Sequence, residues 1–347
     1  MLLNIDEESV DDARRMLTLL CYAKRPLAVP EVIEGIAVEL GDNPRLNPDG
    51  RLPDEDEIRR VCPGLIELDF DPCYNPTTVR IAHFSVQEYL ESERIHNTVA
   101  TFSVRRPEAH AEITSICLTY LLEPALSVPG GRWTYPPAPY AAQNWHKHYR
   151  DGDRNLHQVE HKALRLFQRT GSALETWVSI WNVDHYIGRK PGKVPSPVYY
   201  ASLLGLDSVL SELLREKPAG GAFPGLDSSE ICTDVNAQGG HYGNALQAAS
   251  WGGHEAVVRL LLDKGSNVNA QGGRYGNALQ AALRDSDEAS RGGQEAVVRL
   301  LLDKDADVNA QGGYYGHALQ AASWGGHEAV VRLLLDKGAG VINGRPG

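Results

Sequence analysis

The clearest hydrophobic pattern in the chain is an amphipathic segment that occurs three times near its C-terminal end. In the first of these segments, Glu255 to Lys264, residues such as Val257 and Leu261 are spaced to lie along one face of a helix. Each segment follows a shorter Ala-Leu-Gln-Ala-Ala stretch, whose small side chains allow close packing between helices. The pattern therefore predicts three pairs of helices. Gly265 and Gly338 are expected to end outer helices in the left-handed conformation.

A glycine-rich segment, Asp-Val-Asn-Ala-Gln-Gly-Gly-x-Tyr-Gly, precedes each helix pair, with Asn in place of the first Asp in one copy. The copies start at Asp234, Asn267 and Asp307, so they are 33 and 40 residues apart (267 − 234 and 307 − 267). A period near 33 that joins a glycine-rich hairpin to two short helices is typical of ankyrin repeats, which these copies resemble. The longer spacing reflects seven extra residues in the connection Leu283 to Gly293.

The copies depart from the usual ankyrin Thr-Pro-Leu-His, because they read Asn-Ala-Leu-Gln at Asn244 and Asn277 and His-Ala-Leu-Gln at His317. Asn at this position can cap the inner helix. A fourth, less regular copy lies upstream from Ser196 to Gly205, followed by an apolar helix. Stacked units bury apolar faces that a single unit leaves exposed, so a continuous solenoid is expected. Its repeats are predicted near residues 196–217, 234–265, 267–305 and 307–338.

The N-terminal part of the chain has the pattern of a winged helix. Three amphipathic segments predict helices, and two alternating segments joined by turn residues predict a β-hairpin. The helices are expected at Ser9 to Ala23, Val29 to Leu40 and Glu55 to Cys62, and the strands at Leu65 to Phe70 and Thr78 to Phe84.

A more specific motif begins in the second predicted strand. Residues Val79 to Leu90 read Val-Arg-Ile-Ala-His-Phe-Ser-Val-Gln-Glu-Tyr-Leu. This resembles the end of the winged helix in NOD-like receptors and other NACHT-type ATPases, approximately Phe-x-His-x-(Ser/Thr)-x-Gln-Glu-(Phe/Tyr)-Leu. The segment from Ile5 to Leu27 is similar to the region after the ATPase core in fungal NACHT–ankyrin proteins. This winged helix is named after GPI inositol-deacylase, and the name implies no deacylase activity.

The resemblance implies that His83 is a nucleotide-sensor candidate, since the family's histidine at this position lies close to bound nucleotide. The alternative is a histidine at a strand end whose hydrogen bonds are simply satisfied. The sequence contains no Gly-x-x-x-x-Gly-Lys-(Ser/Thr) to hold phosphates. The chain therefore resembles the C-terminal portion of such a receptor without its ATPase core. ATP or ADP is expected to bind only if another chain or a longer form supplies a NACHT core.

Between these two parts, the pattern predicts a mainly helical spacer. Apolar faces predict helices at Glu108 to Glu123, Leu156 to Phe167 and Ala173 to Trp181, and the Pro- and Gly-rich segment Pro129 to Pro139 predicts an exposed loop. The predicted fold is thus mainly α. Its domains are a winged helix with a small β-hairpin (1–96), a helical spacer (97–190) and an ankyrin-repeat solenoid (191–347).

Composition and charge exclude some classes of partner. The 347 residues are 42% hydrophobic and 23% charged, as in ordinary globular proteins, and the net charge is −11. Residues 1–100 contain ten Lys and Arg and twenty Asp and Glu. DNA binding depends on basic residues that neutralise phosphates, so this acidic excess disfavours DNA binding by the winged helix. No run of residues is long and apolar enough for a membrane span, and the N-terminus lacks a signal pattern. A cytoplasmic or nuclear setting is therefore expected, without nucleic-acid or membrane partners.

Candidate chemistry is sparse. The five cysteines are scattered without Cys-x-x-Cys, which argues against a disulfide framework and a cysteine zinc site. The histidines at 146, 148, 157 and 161 cluster in sequence, and His157 and His161 are spaced to share a helix face. They lack a regular third ligand, so no metal site is predicted. No Gly-x-Ser-x-Gly elbow is present. We therefore expect no catalytic residues, no cofactor and no enzymatic activity.

Recognition remains the function that the sequence favours. Between the three regular copies, the framework repeats while a few positions vary, and the varying residues include the aromatic and Arg types that dominate interfaces. The alternative is that these are tolerated surface changes after duplication. The partner-binding candidates are His241, Arg274 and Tyr314 at the hairpin and Trp251, Arg284 and Trp324 after the inner helix.

The expected function is therefore that of a non-enzymatic interaction or scaffold protein. The resemblance suggests the sensor and regulatory part of a fungal NOD-like signalling receptor, which would bind a protein partner through its ankyrin repeats. A second hypothesis is a regulatory subunit or fragment that acts on a separate NACHT ATPase. A third, a DNA-binding winged-helix regulator, is disfavoured by charge.

Overall fold

The chain is described by a computed structural model that covers residues 2–41, 44–70, 77–128, 131–152, 157–168, 172–184, 194–215, 234–283 and 291–340. The described chain is mostly helical, with a small antiparallel sheet. It divides into two compact units. The first unit contains residues 1–167 and 171–181, and the second contains residues 168–170 and 182–347.

The first unit begins with a winged helix, as the sequence predicts. Its helices are α1 (Val10–Tyr22), α2 (Val29–Ile36) and α3 (Glu55–Val61). Its strands are β1 (Leu27–Ala28), β2 (Val38–Glu39), β3 (Arg45–Leu46), β4 (Ile66–Asp69) and β5 (Thr78–Ile81). The central strand β5 pairs antiparallel with both β1 and β4, and β2 pairs with β3 in a separate hairpin.

The structure corrects the predicted elements of the winged helix in three places. The strand expected to reach Phe84 ends at Ile81, because Phe84 begins a helix that runs to Leu90. Strand β1 adds a third strand to the predicted hairpin, through the pairing of Leu27 with Val79. The helix expected to reach Leu40 ends at Ile36, because Val38 pairs with Leu46. Strands of two residues are too short to show alternation, so the sequence pattern misses them.

The rest of the first unit is helical. It contains α4 (Phe84–Leu90), α5 (Arg106–Leu121), α6 (Gly131–Thr134), α7 (Ala138–Asp151), α8 (His157–Leu166) and α9 (Ala173–Ile180). An aromatic core joins these helices, in which the Trp145 and Trp177 ring centroids lie 5.9 Å apart and both side chains are fully buried. The indole N–H of Trp177 donates to the carbonyl oxygen of Ala142 at 2.8 Å.

The expected exposed loop from Pro129 to Pro139 is wrong for its described residues. Gly131 begins α6, and a Cβ on it would lie 2.4 Å from the carbonyl oxygen of Ala125, so only glycine packs there. Ala138 is fully buried and begins α7. Pro139 lies in the first turn of that helix, where proline is favoured because its missing N–H is not needed.

The spacer helices pack against the winged helix inside the first unit. Arg14 of α1 lies 3.0 Å from Glu112 of α5. The hydroxyl of Tyr120, also on α5, donates to the backbone carbonyl of Glu34 at 2.9 Å. These contacts join both regions within one compact unit.

The described residues of the second unit form four pairs of helices, which confirms the predicted ankyrin-repeat fold. Repeat 1 comprises α10 (Pro197–Leu204) and α11 (Asp207–Leu213), repeat 2 comprises α12 (Ala245–Gly252) and α13 (Glu255–Asp263), repeat 3 comprises α14 (Ala278–Ala281) and α15 (Arg291–Asp303), and repeat 4 comprises α16 (Ala318–Trp324) and α17 (Glu328–Asp336).

Local signals set the ends of these helices. The side-chain oxygens of Asn244 and Asn277 accept backbone N–H groups at the starts of α12 and α14, at 2.9 and 2.8 Å, whereas His317 caps α16 with no such bond. Gly265 and Gly338 follow the outer helices with φ of +86° and +88°, as expected. None of the helices in the described ranges is both long and apolar enough to span a membrane.

Candidate functional site

The candidate site is built on the stacked hairpins of repeats 2 to 4. Gly273 and Gly313 have φ of +62° and +65°, which L side chains rarely adopt. A Cβ on Gly273 would lie 2.0 Å from the carbonyl oxygen of Tyr242, and one on Gly313 would lie 2.1 Å from the carbonyl carbon of Tyr275. The hairpins can therefore touch backbone to backbone only because these positions are glycine.

Hydrogen bonds along this contact line up three of the predicted partner-binding residues. The backbone N–H of Arg274 donates to the carbonyl of His241 at 3.0 Å, and the N–H of Tyr314 donates to the carbonyl of Arg274 at 2.9 Å. His241, Arg274 and Tyr314 are thus adjacent in one row across three repeats. We call these three residues the hairpin row.

Aromatic rings support the hairpin row. The Tyr242 and Tyr275 rings are 6.1 Å apart and nearly parallel, and Tyr275 and Tyr315 continue the stack at 5.9 Å. The guanidinium carbon of Arg274 lies 5.0 Å from the ring centroid of Tyr314 and 6.0 Å from that of Tyr275. Cation–π attraction at these distances helps to hold the Arg274 side chain in place.

Trp251 and Trp324 were expected after the inner helices, but they lie in the last turns of α12 and α16, and their surroundings differ. Trp251 stacks on Tyr242 with the ring centroids 4.5 Å apart. Tyr242 follows His241, so this contact places Trp251 beside the hairpin row. Trp324, at the same position of repeat 4, is 78% exposed, and Tyr314 is 65% exposed. The candidate Arg284 lies outside the described residues. The role of these residues in partner binding stays a prediction.

A buried glutamine connects the inner helices of repeats 2 and 3 to the next hairpin, a role that the sequence did not reveal. The Nε2 atom of Gln247 donates to the carbonyl oxygens of Ala270, Gly272 and Gly276 at 3.1, 3.2 and 3.1 Å. Gln280 makes the same kind of contact with repeat 4, whereas the equivalent Gln320 is exposed. The only advance signal was a glutamine at the same position of every regular copy.

An asparagine also links consecutive repeats. The amide nitrogen of Asn269 donates to the carbonyl of Asp305 at 3.1 Å, and its side-chain oxygen accepts the N–H of Asp307 at 2.7 Å. Asn236 and Asn309 make equivalent pairs of bonds. This asparagine clasp fixes where each new repeat starts.

On the side of repeat 1, an acidic residue positions the hairpin row. The Asp184 carboxylate accepts the hydroxyl of Tyr199 at 2.5 Å and the backbone N–H of His241 at 2.8 Å. The same hydroxyl accepts the N–H of Tyr242 at 3.2 Å. Burial raises the pKa of Asp184 above its usual range, against the lowering effect of these hydrogen bonds. These hydrogen bonds hold the backbone of the first hairpin. The side chain of His241 is the part that differs between the copies.

The nucleotide-sensor candidate lies in the first unit. His83 follows β5 and caps α4, where its Nδ1 atom accepts the backbone N–H of Ser85 at 3.2 Å. Its ring is exposed and packs against Phe84, which is 68% exposed. The capping contact gives His83 a local structural role. Its role toward a nucleotide stays a prediction.

A buried histidine pair in the first unit was also missed, because its members are distant in sequence. The Nδ1 atoms of His110 and His148 are 2.8 Å apart, and His148 Nε2 lies 2.7 Å from the Tyr140 hydroxyl. The backbone N–H of Lys24 donates to that hydroxyl at 3.0 Å, so the hydroxyl can donate to His148. Neutral His148 then donates from Nδ1 to His110, whose Nε2 atom lies 4.0 Å from a carboxylate oxygen of Asp151. One tautomer of each ring thus satisfies these hydrogen bonds together.

The environment of the pair disfavours protonation. Burial, the neighbouring His110 and Lys24 lower the pKa of His148 to about 3. Burial and the charge of Lys24 also lower the pKa of His110. Within the described residues, no group of three or more His, Cys, Asp or Glu is arranged to hold a metal ion. The side chain of His157 lies outside those residues.

Comparisons with known proteins identify the two kinds of domain. Residues 3–105 match the family model of the GPI inositol-deacylase winged helix domain. Residues 243–273 match the ankyrin repeat model, and residues 286–335 match the model for ankyrin repeats in many copies. The chain therefore has an N-terminal winged-helix domain of the GPI inositol-deacylase type and ankyrin repeats in its C-terminal part.

One curated relative matches most of this chain. The azaphilone pigments biosynthesis cluster protein L of Monascus ruber is 44% identical over 283 residues. The match covers 77% of this chain and 58% of that protein. The chain thus spans a little over half the length of this relative.

Proposed function

We propose that this chain is a non-enzymatic interaction protein that binds a partner protein through the hairpin row and the aromatic side chains beside it. The main observation is the exposure of Tyr314 and Trp324 on repeats whose backbones are locked together. Large aromatic side chains on a rigid support lose little entropy on binding, and such residues often dominate interface energy. The ankyrin fold supports this class of function, because stacked repeats form an extended binding surface.

The winged helix suggests what the repeats regulate. Its motif resembles that of NACHT-type signalling ATPases, and His83 and Phe84 form an exposed pair at the start of α4. In this proposal, the chain acts as the sensor and regulatory part of a NOD-like receptor, and the exposed pair faces an ATPase core near its nucleotide. The core comes from a longer form of the protein.

The second candidate is a regulatory subunit that acts on an ATPase encoded separately. The same exposed pair favours it, because the pair is available to another chain as readily as to a linked domain. A binding assay with ATP or ADP and this chain alone distinguishes both candidates from an autonomous nucleotide-binding protein. Tight nucleotide binding without a partner would contradict both, since the sequence has no phosphate-binding loop.

The relative suggests where partners can be sought. Its name links that protein to an azaphilone pigment biosynthesis cluster. We therefore include the proteins of such clusters among the partners proposed for this chain. A cytoplasmic or nuclear setting is part of the same proposal.

The test compares partner capture by the full chain and by surface variants. Tyr314→Ala with Trp324→Ala removes the exposed aromatic groups, whereas Leu335→Ala removes an exposed apolar side chain from the outer helix α17. Proteins bound by the wild-type chain should be lost with the double variant and retained with the control. Equal retention by both variants would show that binding does not use this surface. A substrate turned over by the purified chain would contradict the non-enzymatic role.

A further inference from the structure

The repeats separate charged and uncharged residues between their two faces. The hairpin tips and inner helices of repeats 2 to 4 lie within residues 237–252, 270–283 and 310–324, which contain no Asp, Glu or Lys and one Arg, Arg274, whereas Arg284, at the position equivalent to Trp251 and Trp324, lies outside the described residues. The outer helices carry the charged residues, with ion pairs such as Glu255 with Arg259 at 2.7 Å and Glu328 with Arg332. In a chain of net charge −11, the described hairpin tips and inner helices of repeats 2 to 4 therefore carry no acidic side chain and one permanent cation, Arg274.

That cation is held in the middle of the hairpin row. Arg274 lies between His241 and Tyr314 in the backbone ladder, and its guanidinium lies over the Tyr314 ring. An arginine stacked on aromatic rings keeps a planar set of N–H donors that suits a carboxylate better than a lysine would. The exposed rings of Tyr314 and Trp324 extend the surface on the repeat 4 side.

These features discriminate between classes of partner. A basic peptide would find no carboxylate on the described hairpin tips and inner helices of repeats 2 to 4, and a nucleic acid would find too few cations there to offset repulsion by the acidic chain. A segment with one or more carboxylates and an aromatic or large apolar side chain complements both the cation and the rings. Charge complementarity of this kind sets specificity as well as association rate.

We propose that the partner segment bound by the hairpin row is an acidic peptide that carries aromatic or large apolar side chains, with a carboxylate on Arg274. The inference rests on the proposed function, because it names the chemistry of the partner at the same surface. It goes further by making Arg274 the residue that determines specificity.

The experiment is a selection of random peptides displayed on phage, with the immobilised full chain as target. Three targets are compared: the wild-type chain, Arg274→Gln, and the control Arg259→Gln on the outer helix α13. We expect the wild type and the control to enrich peptides rich in Asp or Glu together with aromatic residues, and Arg274→Gln to lose the acidic preference. Enrichment of neutral or basic peptides by the wild type would overturn this inference while leaving the general binding function intact. Failure to enrich any peptide would overturn both.

A second measurement distinguishes a lost contact with the peptide from a folding defect in the variant. One enriched peptide and its form with Asp and Glu replaced by Asn and Gln are titrated by fluorescence anisotropy. Removal of the carboxylates and the Arg274→Gln change should each weaken binding by about tenfold or more, as expected for a charge-assisted hydrogen bond, and the two changes together should cost little more than either one. Arg274→Lys should retain part of the affinity. Additive losses would contradict direct pairing of the carboxylate with Arg274.

Discussion

The side-chain nitrogen of Gln247 lies 3.1 Å from the carbonyl oxygen of Gly276, so the inner helix of repeat 2 is bonded to the hairpin of repeat 3. The same nitrogen also bonds to Ala270 and Gly272. One amide group thus bonds to three carbonyls of the next hairpin, of which that of Gly276 also accepts the backbone N–H of Gly272 at 2.8 Å. Repeat stability in such an array depends on contacts of this kind between neighbours.

The first prediction follows from this contact. Gln247→Met keeps a similar volume but removes the side-chain donor to the carbonyls of Ala270 and Gly272, so it should lower the free energy of unfolding of the repeats by about 1–3 kcal/mol. Gln320→Met is the matched control in an identical Ala-Leu-Gln-Ala-Ala helix, and its exposed side chain should make the change neutral within about 0.5 kcal/mol. Urea unfolding of the full chain, with hydrogen exchange in the hairpin at 270–276, measures the difference. Equal effects at both positions would refute this account.

The second prediction concerns glycine in the hairpin contact. Gly273→Ala would place a Cβ 2.0 Å from the backbone of Tyr242 at a positive φ, so it should destabilise the repeats by more than about 1 kcal/mol. Gly292→Ala meets no atom within 4 Å and lies in α15, so it should stabilise that helix by about 0.5–1 kcal/mol. Thermal unfolding followed by circular dichroism should show shifts of opposite sign. A tolerated Gly273→Ala would mean that the hairpins are not packed backbone to backbone.

The third prediction uses an irregularity of repeat 3. Gly265 and Gly338 end their outer helices at positive φ, but the same position after α15 is Asp305, with φ of +62°. Among the described residues it is the one non-glycine residue at positive φ. Because a left-handed L residue costs roughly 1–2 kcal/mol, Asp305→Gly should stabilise the repeats by about 1 kcal/mol. Asp305→Asn removes only the charge and should change the unfolding midpoint much less. A midpoint shift as large with Asn as with Gly would point to charge as the cause.

The fourth prediction separates packing from recognition at two equivalent tryptophans. Trp251→Ala removes a ring stacked on Tyr242 and should destabilise the repeats by about 1–3 kcal/mol. Trp324→Ala removes a side chain that is 78% exposed, so stability should change by less than about 0.5 kcal/mol, while partner binding should weaken. Unfolding curves and affinity for a selected peptide are measured on the same samples. If Trp324→Ala destabilises the repeats as much as Trp251→Ala does, the exposure of Trp324 does not explain its effect on stability.

The fifth prediction is a pH dependence of the first unit. The pKa of His148 is about 3 in the fold, whereas an exposed histidine titrates near about 6.5. The unfolded chain therefore binds a proton in the interval between these values that the folded chain does not. The contribution of His148 to the free energy of unfolding is fully present above about pH 6.5. It is lost as the pH falls towards 3, by up to about 1.4 kcal/mol per pH unit.

The measurement compares hydrogen exchange of α5 and α7 at several pH values between 7.5 and 4.5. His148→Gln should make the loss of protection with acid shallower, since it removes the titrating ring. The exposed His83→Gln is the control for loss of a histidine elsewhere, and the acid dependence of α5 and α7 should persist in it. An unchanged acid dependence in His148→Gln would rule out the histidine pair as its source.

The sequence predicts the repeats well because their information is local and is repeated. The Asn caps, the glycines after the outer helices and the apolar face of each outer helix all lie within one period. The winged helix was predicted from its helices and hairpin, but β1 was not, because a two-residue strand is defined only by its partner Val79. Helix α7 was hidden by a Pro- and Gly-rich start that also occurs in loops.

The candidate site was predicted only in part, because some of its contacts join residues that are distant in sequence. Variation among the copies marked His241, Arg274 and Tyr314, and the fold places these residues in one row. The functions of Gln247 and of the buried pair His110 and His148 depend on partners 23 to 38 residues away, which no local pattern contains. Long-range hydrogen bonds are set by packing, and packing is a property of the whole unit.

The asparagine clasp has a consequence for how such an array can grow. Asn236 and Asn269 each bind the end of their own repeat and the start of the next through the same two side-chain atoms, and Asn309 makes the same two bonds with Gly338 and Gly340. A gene segment that encodes one whole period can therefore be duplicated or deleted, and every remaining junction still finds an equivalent partner. The number of modules is free to change during evolution, while the geometry at each joint is inherited intact.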